Sequence, residues 1–428
     1  MKIKIINATI LNLDEKSVLQ NMAVCIEDDN IAFVGENDNL FVKAFQEEKL
    51  LDFKGDILSA GFINGHSHNA MTLFRGLKDD APLQEWLFNN MFVIEKYLTP
   101  SDVYWGTQLG LLESIKSGIT TNLDAYFFPE DIVKANIEIG TRNVCCLGAT
   151  MYKNRYENLQ QELKKMPIND LITYAAYAHS IYTLEPNELE ETVFFAKDNK
   201  LPMHIHLAET LTEVGECVQK YNQTPVQLLE DLGFLEHKCS IAHGVHIDKD
   251  DYFILQQHDV SIVHCPASNM KLGSGIAPIH SMKEQGINIC LGTDGPASNN
   301  SLDMFREMYL ASFLQKVNLY DTSVMPSDYL LKMATINGAR ALNLQNIGEI
   351  KVGFKADLIR IAKDDLNLIP LNDLFSLVYS ARPENIKMTM VNGKILYENG
   401  IFASNINVEE IIDNAKNAIN RLKKQSNL

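Results

Sequence analysis

Two histidines separated by one residue, His66 and His68, are the side chains of this chain best suited to bind a metal ion. They follow the apolar run Ile57–Ile63 in the stretch ILSAGFINGHSHN, which we interpret as one buried strand. Alternate residues of a strand point to the same side, so both imidazoles can converge on one ion. Because such pairs also occur by chance on protein surfaces, the interpretation depends on further ligands elsewhere in the chain.

Further candidate side chains recur at the ends of predicted strands. They are His179, His206, Glu209, His243 and Asp294. Three neutral imidazoles and one carboxylate would suit Zn²⁺ or another late divalent ion and would leave a coordination position for water. The pattern therefore predicts a hydrolase with one catalytic metal.

Some histidines have competing interpretations. A lone histidine at a strand end is more often a hydrogen-bonded structural residue, which is the alternative for His179. His204 lies two residues before His206 and shares its strand face, so it is a rival ligand. The remaining histidines are expected to be structural, to surround the ligands or to lie on the surface: His237, His246, His258, His264 and His280.

Eight apolar runs alternate with helical patterns and predict an α/β fold, the (β/α)8 TIM barrel. The runs are Ile57–Asn64, Ile119–Asp124, Arg142–Ala149, Leu171–Ala178, Pro202–Leu207, Cys239–His243, Val260–His264 and Ile287–Gly292. Reacting groups of such barrels lie at the C-terminal ends of the strands, where the candidate residues fall. A doubly wound open sheet is the alternative, but no Gly-rich phosphate loop follows an early strand.

The two ends of the chain have the pattern of short strands and turns. Asp28-Asp29-Asn30 and Asn392-Gly393 are predicted hairpin turns. Neither strand set has an obvious core of its own, so we expect both to fold together as a small β-sandwich domain. The predicted boundaries are residues 1–56 with 350–428 for this composite β domain and residues 57–349 for the catalytic barrel.

The composition is that of an acidic globular protein. The 428 residues are 46% hydrophobic and carry a net charge of −17, which argues against nucleic acid or an anionic membrane surface as a partner. No run approaches the roughly eighteen apolar residues of a membrane span, and no signal-peptide cleavage pattern follows the N-terminal strand. Seven cysteines without a CxxC pair favour a reducing cytoplasm.

The segments around these residues resemble the amidohydrolase superfamily. They read GFINGHSHNAMTLFRGLKDDAPLQEWL, IHLAET, IAHGVH, HCPASNMKLGSGIAPI and LGTDGPASNNSLD, and they span Gly61 to Asp303. More narrowly, the chain resembles the methylthioadenosine/S-adenosylhomocysteine deaminases, in a group that also holds cytosine, guanine and chlorotriazine hydrolases. The strand-rich ends resemble the composite β domain of that family.

The resemblance implies four metal ligands: His66, His68, His206 and Asp294. Related enzymes with two metals use a carbamylated lysine on strand four, and ITYAAYAHS has no lysine. We therefore expect one divalent ion per chain, with Zn²⁺ favoured. Glu209 would protonate the purine N1 and move protons to the departing amine, which is general acid–base work. Asp294 and His243 would accept a proton from the attacking water and orient it.

Substrate contacts are implied for three further residues. Glu95 would accept hydrogen bonds from the ribose hydroxyls, although its pattern alone predicts a solvated helix residue. His179 would contact the substrate, and Arg155 would bind the homocysteine carboxylate. A second arginine of some members has no counterpart, since Leu147 occupies that neighbourhood. This departure leaves methylthioadenosine and 5′-deoxyadenosine as candidates comparable with S-adenosylhomocysteine. The family also implies a homo-oligomer.

The predicted reaction is hydrolytic deamination of an adenosine-type nucleoside at C6, which gives the inosine analogue and ammonia. One alternative is a deaminase or dechlorinase of another heterocycle, namely guanine, 8-oxoguanine, cytosine or a chlorotriazine. Glu95 argues for a ribose-bearing substrate. A non-catalytic barrel that acts as an assembly scaffold is the remaining alternative, and retention of the four ligands with Glu209 and His243 argues against it.

Overall fold

The computed structural model describes residues 1–150 and 153–427, whose strands form two sheets. One sheet has eight parallel strands, each paired with the next along the chain. These strands are β6 (Phe62–Ser67), β7 (Ile119–Asp124), β8 (Arg142–Leu147), β9 (Ile172–Ala178), β10 (Met203–Leu207), β11 (Cys239–His243), β12 (Ser261–His264) and β13 (Asn288–Leu291).

The other sheet is mixed and joins strands from both ends of the chain, in the order β17-β16-β15-β14-β5-β1-β2-β3 with β4 beside β1. Its strands are β1 (Lys2–Asn12), β2 (Ser17–Glu27), β3 (Asn30–Glu36), β4 (Lys49–Asp52), β5 (Ile57–Ala60), β14 (Leu358–Ile361), β15 (Ile386–Val391), β16 (Lys394–Glu398) and β17 (Ile401–Phe402). Both predicted hairpin turns are confirmed, since β2 pairs with β3 and β15 pairs with β16. Asn392 and Gly393 have φ of 52° and 74°, the left-handed values that a tight hairpin turn needs.

The helices α1 to α12 are Leu40–Ala44, Leu83–Trp86, Phe92–Glu95, Pro100–Lys116, Pro129–Ile139, Arg155–Lys165, Pro186–Asn199, Leu211–Tyr221, Pro225–Asp231, Tyr252–Gln257, Pro266–Lys271 and Ile279–Glu284. The helices α13 to α18 are Pro296–Asn299, Met304–Leu319, Ser327–Met333, Ile336–Ala341, Leu377–Ser380 and Val408–Ser426. A π-helical turn, Leu87–Met91, joins α2 to α3. Short 3₁₀ turns cover Asn69–Phe74, Phe234–Glu236, Lys249–Asp251, Leu374–Ser376 and Pro383–Asn385.

The eight-stranded sheet closes on itself between β13 and β6. The N–H of Asp294 donates to the carbonyl of His66 at 2.9 Å, and Nδ2 of Asn64 donates to Oγ1 of Thr293 at 2.8 Å. Buried aliphatic and aromatic side chains of the strands and of the surrounding helices form one large core, and smaller clusters contain other strand residues such as Ile63 and Val263. The predicted (β/α)8 barrel is thereby confirmed. Its first and last strands are joined beside His66 and Asp294, two of the predicted metal ligands.

The predicted strand Ile57–Ile63 is wrong in one respect, because the chain divides it between the two sheets. β5 pairs with β1 and β14 in the mixed sheet, whereas β6 begins the barrel. Gly61 lies at the junction, and a Cβ there would stand 2.2 Å from the side chain of Thr120. Glycine is therefore required where the chain passes from one sheet to the other. As a result His66 lies inside β6 and not past its end.

Buried ion pairs and helix packing hold the ends of the chain against the barrel. Nε of Arg142, in β8, donates to Oδ2 of Asp357 at 2.7 Å, and both side chains are buried. Helix α18 packs on α4, where Arg421 forms an ion pair with Asp102. Within the described residues, every helix is too short or too polar to cross a bilayer.

Candidate active site

Four side chains predicted as metal ligands meet at the carboxyl ends of the barrel strands. His66 lies in β6, His68 directly follows it, His206 lies in β10 and Asp294 follows β13. The Nε2 atoms of His66 and His206 are 3.1 Å apart. Oδ1 of Asp294 lies 3.3 Å from Nε2 of His66 and 3.3 Å from Nε2 of His68.

The far ring nitrogens of these histidines are bound elsewhere. Nδ1 of His68 donates to the carbonyl of Ala125 at 2.5 Å, and Nδ1 of His206 donates to that of His179 at 2.8 Å. With the proton on Nδ1, each Nε2 is an unprotonated acceptor that faces the centre of the cluster. The Nε2 atoms of His66 and His206 also face each other, and a cation between them would stabilise that arrangement.

The donor set fits a small divalent ion. A tetrahedral site with metal–ligand bonds of about 2.0–2.1 Å has ligand atoms roughly 3.3 Å apart, which matches the three distances given above. The ligand atoms fall into two mutually close sets that share His66: one with His68 and Asp294, and one with His206 and His243. Burial lowers the pKa of His66 to about 4 and holds the pKa of His206 well below its ordinary value. The imidazoles therefore stay neutral at physiological pH, the state in which they bind metals.

His204 is not placed as a rival ligand. Its Nε2 lies 2.9 Å from Nδ1 of His66, on the side of that ring turned away from the cluster centre. Its own Nδ1 lies 2.7 Å from Oγ of Ser240. Because His66 donates its Nδ1 proton to His204, His204 carries its proton on Nδ1 and donates it to Ser240. The pair fixes the ring orientation and tautomer of His66.

Asp294 is fixed by three hydrogen bonds. The hydroxyls of Ser268 and Ser298 donate to Oδ2 at 2.5 and 2.9 Å, and the N–H of Gly295 donates to Oδ1 at 2.8 Å. Burial raises the pKa of Asp294, but the close contact with His66 and the other nearby histidines outweigh burial and hold this pKa well below its usual range. Asp294 is therefore a carboxylate, ready to bind a cation or accept a proton.

Glu209 and His243 form an adjoining pair, with Oε2 of Glu209 lying 3.7 Å from Nε2 of His243. Oγ of Ser274 donates to Oε1 of Glu209 at 3.1 Å, and Nδ1 of His243 donates to Oδ1 of Asn269 at 2.8 Å. Burial raises the pKa of Glu209. Burial lowers the pKa of His243, but the charges of Glu209 and Asp294 outweigh it and raise this pKa overall. Such groups can exchange protons near neutral pH.

A cavity opens above the cluster, with about 670 Å³ of free space that includes its open mouth. Its described wall contains no lysine or arginine and is largely apolar, with Met71, Leu83, Trp86, Leu87, Phe92 and Leu272 among its residues. The wall also contains two glutamate carboxyl groups, that of Glu209 beside the cluster and that of Glu95. The size and the few polar groups suit a small organic substrate.

Glu95 lies at the end of α3 and faces the cavity. The prediction from its pattern alone, a solvated helix residue, is therefore wrong. The hydroxyl of Tyr126 donates to Oε1 of Glu95 at 2.5 Å. Burial raises the pKa of Glu95 to about 7. His179 also lines the cavity, and its Nδ1 lies 3.1 Å from Oγ1 of Thr183. Glu95 and His179, two of the three residues implied as substrate contacts, therefore line the cavity.

The expected role of Arg155 does not agree with the structure. Its side chain is 1% exposed and does not line the cavity. Its guanidinium donates to the carbonyls of Gly148 and Tyr177 at 2.8 and 2.6 Å, and to Oγ1 of Thr192 at 2.7 Å. These bonds direct Arg155 into the protein, where it ties the end of β8 to β9 and α7. These contacts give no support to the carboxylate-binding role, which stays a prediction.

Sequence reasoning assigned no role to several partners of the site. Ser268 binds Asp294, Asn269 binds His243 and Ser274 binds Glu209. All three residues lie in the segment HCPASNMKLGSG. Tyr126 follows β7 and holds Glu95. The available signal was the recurrence of hydroxyl and amide side chains directly after strand ends, where the ligands also fall.

Comparisons with known proteins agree with this arrangement. The sequence profile described as the Amidohydrolase family matches residues 57–396. The 5-methylthioadenosine/S-adenosylhomocysteine deaminase of Pyrococcus furiosus is 42% identical over 417 residues, covering 95% of this chain and 97% of the relative. The protein of the same name from Carboxydothermus hydrogenoformans is 40% identical and covers 93% of each chain.

A solved structure supports the same relationship. The crystal structure of an adenosine deaminase from Xanthomonas campestris with bound zinc superposes with a TM-score of 0.92 at 28% identity, covering 99% of this chain and 98% of that one. The profile match extends over most of the chain and includes all four residues of the His/Asp cluster. The chain belongs to the Amidohydrolase family.

Proposed function

We propose that this protein is a metal-dependent hydrolase that deaminates adenosine-type nucleosides at C6, giving the inosine analogue and ammonia. The observation that carries the proposal is the position of Glu209. It is a buried carboxyl at the base of the cavity, beside the His/Asp cluster but outside the set of atoms with ligand spacing. The names of the relatives at 42% and 40% identity support the same substrate class.

The proposed cofactor is one Zn²⁺ ion per chain, bound by His66, His68, His206 and Asp294. The distances of 3.1–3.3 Å from His66 to His206, from His66 to Asp294 and from His68 to Asp294 support a single ion, as does the absence of lysine in β9. When bound, the ion supplies Lewis acidity that makes a water molecule nucleophilic near neutral pH. Metal analysis of the purified protein tests both the identity of the ion and the count.

The proposed chemistry uses three side chains of the site. His243 and Asp294 accept a proton from the attacking water and direct its oxygen toward C6. Glu209 donates a proton to N1 as the oxygen adds to C6. The resulting Glu209 carboxylate then takes the proton of the new hydroxyl at C6 and passes it to the amino nitrogen, so that the C6–N bond breaks, the carbonyl forms and ammonia leaves. The proton first accepted by His243 or Asp294 returns to Glu209 and restores the starting state. The raised pKa of Glu209 supports this role, because it favours the protonated carboxyl that the first step requires.

Glu95 is proposed to accept hydrogen bonds from the vicinal hydroxyls of ribose. One of its oxygens already accepts from Tyr126, which fixes the orientation of the carboxyl at the cavity wall. A free base has no vicinal diol to bind, so this carboxyl favours a nucleoside over guanine, cytosine or a triazine. His179, which also lines the cavity, is proposed to contact the base.

The 5′ substituent is proposed to be small or apolar. A charged carboxylate would lose its hydration in a cavity whose described wall carries no lysine or arginine, and Arg155 is directed elsewhere. We therefore expect methylthioadenosine or 5′-deoxyadenosine to equal or exceed S-adenosylhomocysteine in kcat/KM.

The protein is further proposed to act as a homo-oligomer in the cytoplasm. Tyr309, Phe313 and Val317 follow one another at helical spacing on α14 and are 40%, 43% and 66% exposed, a stripe that a second copy could cover. All seven cysteines are free in the described part of the chain, which suits a reducing compartment. Light scattering during size-exclusion chromatography would give the number of subunits.

A screen for ammonia release tests the proposed function. The substrates are adenosine, methylthioadenosine, 5′-deoxyadenosine, S-adenosylhomocysteine, guanine and cytosine, each with zinc-loaded protein. Turnover of the purine nucleosides with little from the free bases is the expected result. Turnover confined to guanine or cytosine would replace the proposal with the other deaminase activity.

A further inference from the structure

Two backbone N–H groups between β10 and helix α8 have the same buried carboxylate as their acceptor. Oε1 of Glu213 accepts from the N–H of Ala208 at 3.0 Å, and Oε2 accepts from the N–H of Glu209 at 2.8 Å. These N–H groups lie beyond the strand and before the helix cap Thr210, so neither element supplies them with a carbonyl. Glu213 is only 3% exposed, and these bonds account for both of its oxygens.

The turn that Glu213 binds has an uncommon backbone conformation. Ala208 has a φ of 51°, in the left-handed region that residues with a Cβ rarely adopt. Its carbonyl accepts from the N–H of His246 at 2.8 Å, while its N–H is bound by Glu213. A conformation of this kind persists where surrounding contacts impose it. Contacts on both sides of the peptide therefore define the turn.

The direction of the Glu209 side chain follows from this turn, because the backbone of Ala208 and Glu209 sets where the Cβ of Glu209 points. In this orientation its carboxyl reaches both Ser274, at 3.1 Å, and His243, at 3.7 Å. Glu213 itself is not part of the cavity wall. Its hydrogen bonds therefore act on the reaction through the residue whose backbone it binds.

We propose that Glu213 is a positioning residue, whose carboxylate fixes the Ala208–Glu209 turn so that Glu209 faces the reacting atoms of the substrate. This inference rests on the proposed acid–base role of Glu209. Misplacing a catalytic group by about 1 Å can cost on the order of a hundredfold in rate. Binding of the nucleoside and of the metal depends on other residues, so the effect of losing Glu213 belongs to kcat.

The test compares Glu213→Ala and Glu213→Gln with Glu216→Ala, an exposed residue one turn further along α8. Glu213→Ala is expected to lower kcat about ten- to a hundredfold, with KM within twofold and the metal content unchanged. Glu213→Gln is nearly isosteric and keeps one acceptor oxygen, so it should fall between Glu213→Ala and wild type. Glu216→Ala should match wild type. If Glu213→Ala does not fold, Glu213→Gln carries the test alone.

A second comparison separates positioning from general support of the fold. In a Glu209→Gln background, Glu213→Gln should cause no further loss of kcat, because the group that it positions no longer transfers protons. Additive losses, loss of metal, or a kcat within twofold of wild type for the Glu213 variants would overturn the proposal. If Glu209→Gln alone has wild-type kcat, the proposed acid–base role has failed, and that result is distinct from failure of the positioning role.

Discussion

The inner and outer ends of the catalytic cavity are built in different ways. At the inner end every polar side chain is fixed by hydrogen bonds: Asp294 accepts three, and each metal-facing histidine is bound through its far nitrogen. At the outer end the wall is formed by apolar side chains of α2, the π-helical turn and α3, with Glu95 and Tyr126 as a polar pair. The inner end thus suits one chemistry, whereas the outer end selects substrates mostly by shape.

This difference predicts which substitutions should lower activity most. Groups preorganised around a reacting centre contribute more than single contacts to a remote part of the substrate. We therefore expect substitutions at the inner end to affect kcat by orders of magnitude. Substitutions at the outer end should affect the choice among substrates, and substitution of Arg155, behind the wall, should affect stability alone.

The largest effect is expected for Glu209→Gln, which should lower kcat by about 10² to 10⁴-fold while the metal remains bound. The amide fills the same space but cannot transfer the proton to N1. Steady-state kinetics with methylthioadenosine and metal analysis on the same sample measure both quantities. His206→Ala is the control, since it should lose the metal itself. Near-normal kcat in Glu209→Gln would remove Glu209 from the mechanism.

Glu95→Ala should lower kcat/KM for ribonucleosides by about ten- to a hundredfold, because a hydrogen bond to a charged group contributes roughly 1.5–3 kcal/mol. Adenine, as a substrate or as a competitive inhibitor, should be affected far less. Kinetics with adenosine and adenine on the same preparations compare the two ligands. An equal loss for both would mean that Glu95 supports the cavity wall and does not contact ribose.

Arg155→Ala should destabilise the protein without changing its choice of substrate. Removing the guanidinium leaves buried carbonyls of Gly148 and Tyr177 without this donor, so the free energy of unfolding should fall by roughly 3–5 kcal/mol. Chemical denaturation measures this change. The free energy of unfolding of Arg155→Lys should lie between those of Arg155→Ala and wild type. The ratio of kcat/KM for S-adenosylhomocysteine to that for methylthioadenosine should stay within twofold of wild type. A selective loss with S-adenosylhomocysteine would restore Arg155 as a carboxylate-binding residue.

The smallest effect concerns pH and the outer carboxyl. Burial raises the pKa of Glu95 to about 7, so the carboxylate that accepts two ribose hydroxyls is present above that pH and is lost below it. We expect kcat/KM for nucleosides to fall by up to about tenfold per pH unit as pH drops below 7. A Glu95→Gln variant, which cannot titrate, should lack this step. A wild-type profile that Glu95→Gln reproduces would assign the step to another group.

Sequence reasoning succeeded where strand ends fix position. His66, His68, His206 and Asp294 follow apolar runs, and barrel geometry brings the ends of such runs together, so their proximity was predictable from the pattern. The choice of these four as ligands came from the family resemblance and stays a prediction. The closure of the barrel between β13 and β6 follows from the same pattern.

Sequence reasoning failed where direction depends on tertiary contacts. A position near Arg155 could be inferred, but its side chain turns toward carbonyls of β8 and β9 that no local pattern reveals. Glu95 reads as solvated because its partner Tyr126 follows β7, on a different element further along the chain. The division of Ile57–Ile63 between two sheets depends on the contact of Gly61 with Thr120, which lies on a strand almost sixty residues further on.

The central claim is that the His/Asp cluster and Glu209 together perform a metal-dependent deamination of purine nucleosides. The most direct test is to remove metal with a chelator, add Zn²⁺ in steps and follow ammonia release from methylthioadenosine. We predict that activity rises in proportion to bound zinc and stops rising at one ion per chain. Ammonia release that is unchanged in the metal-free protein, or full zinc binding without ammonia from any purine nucleoside, would contradict the account.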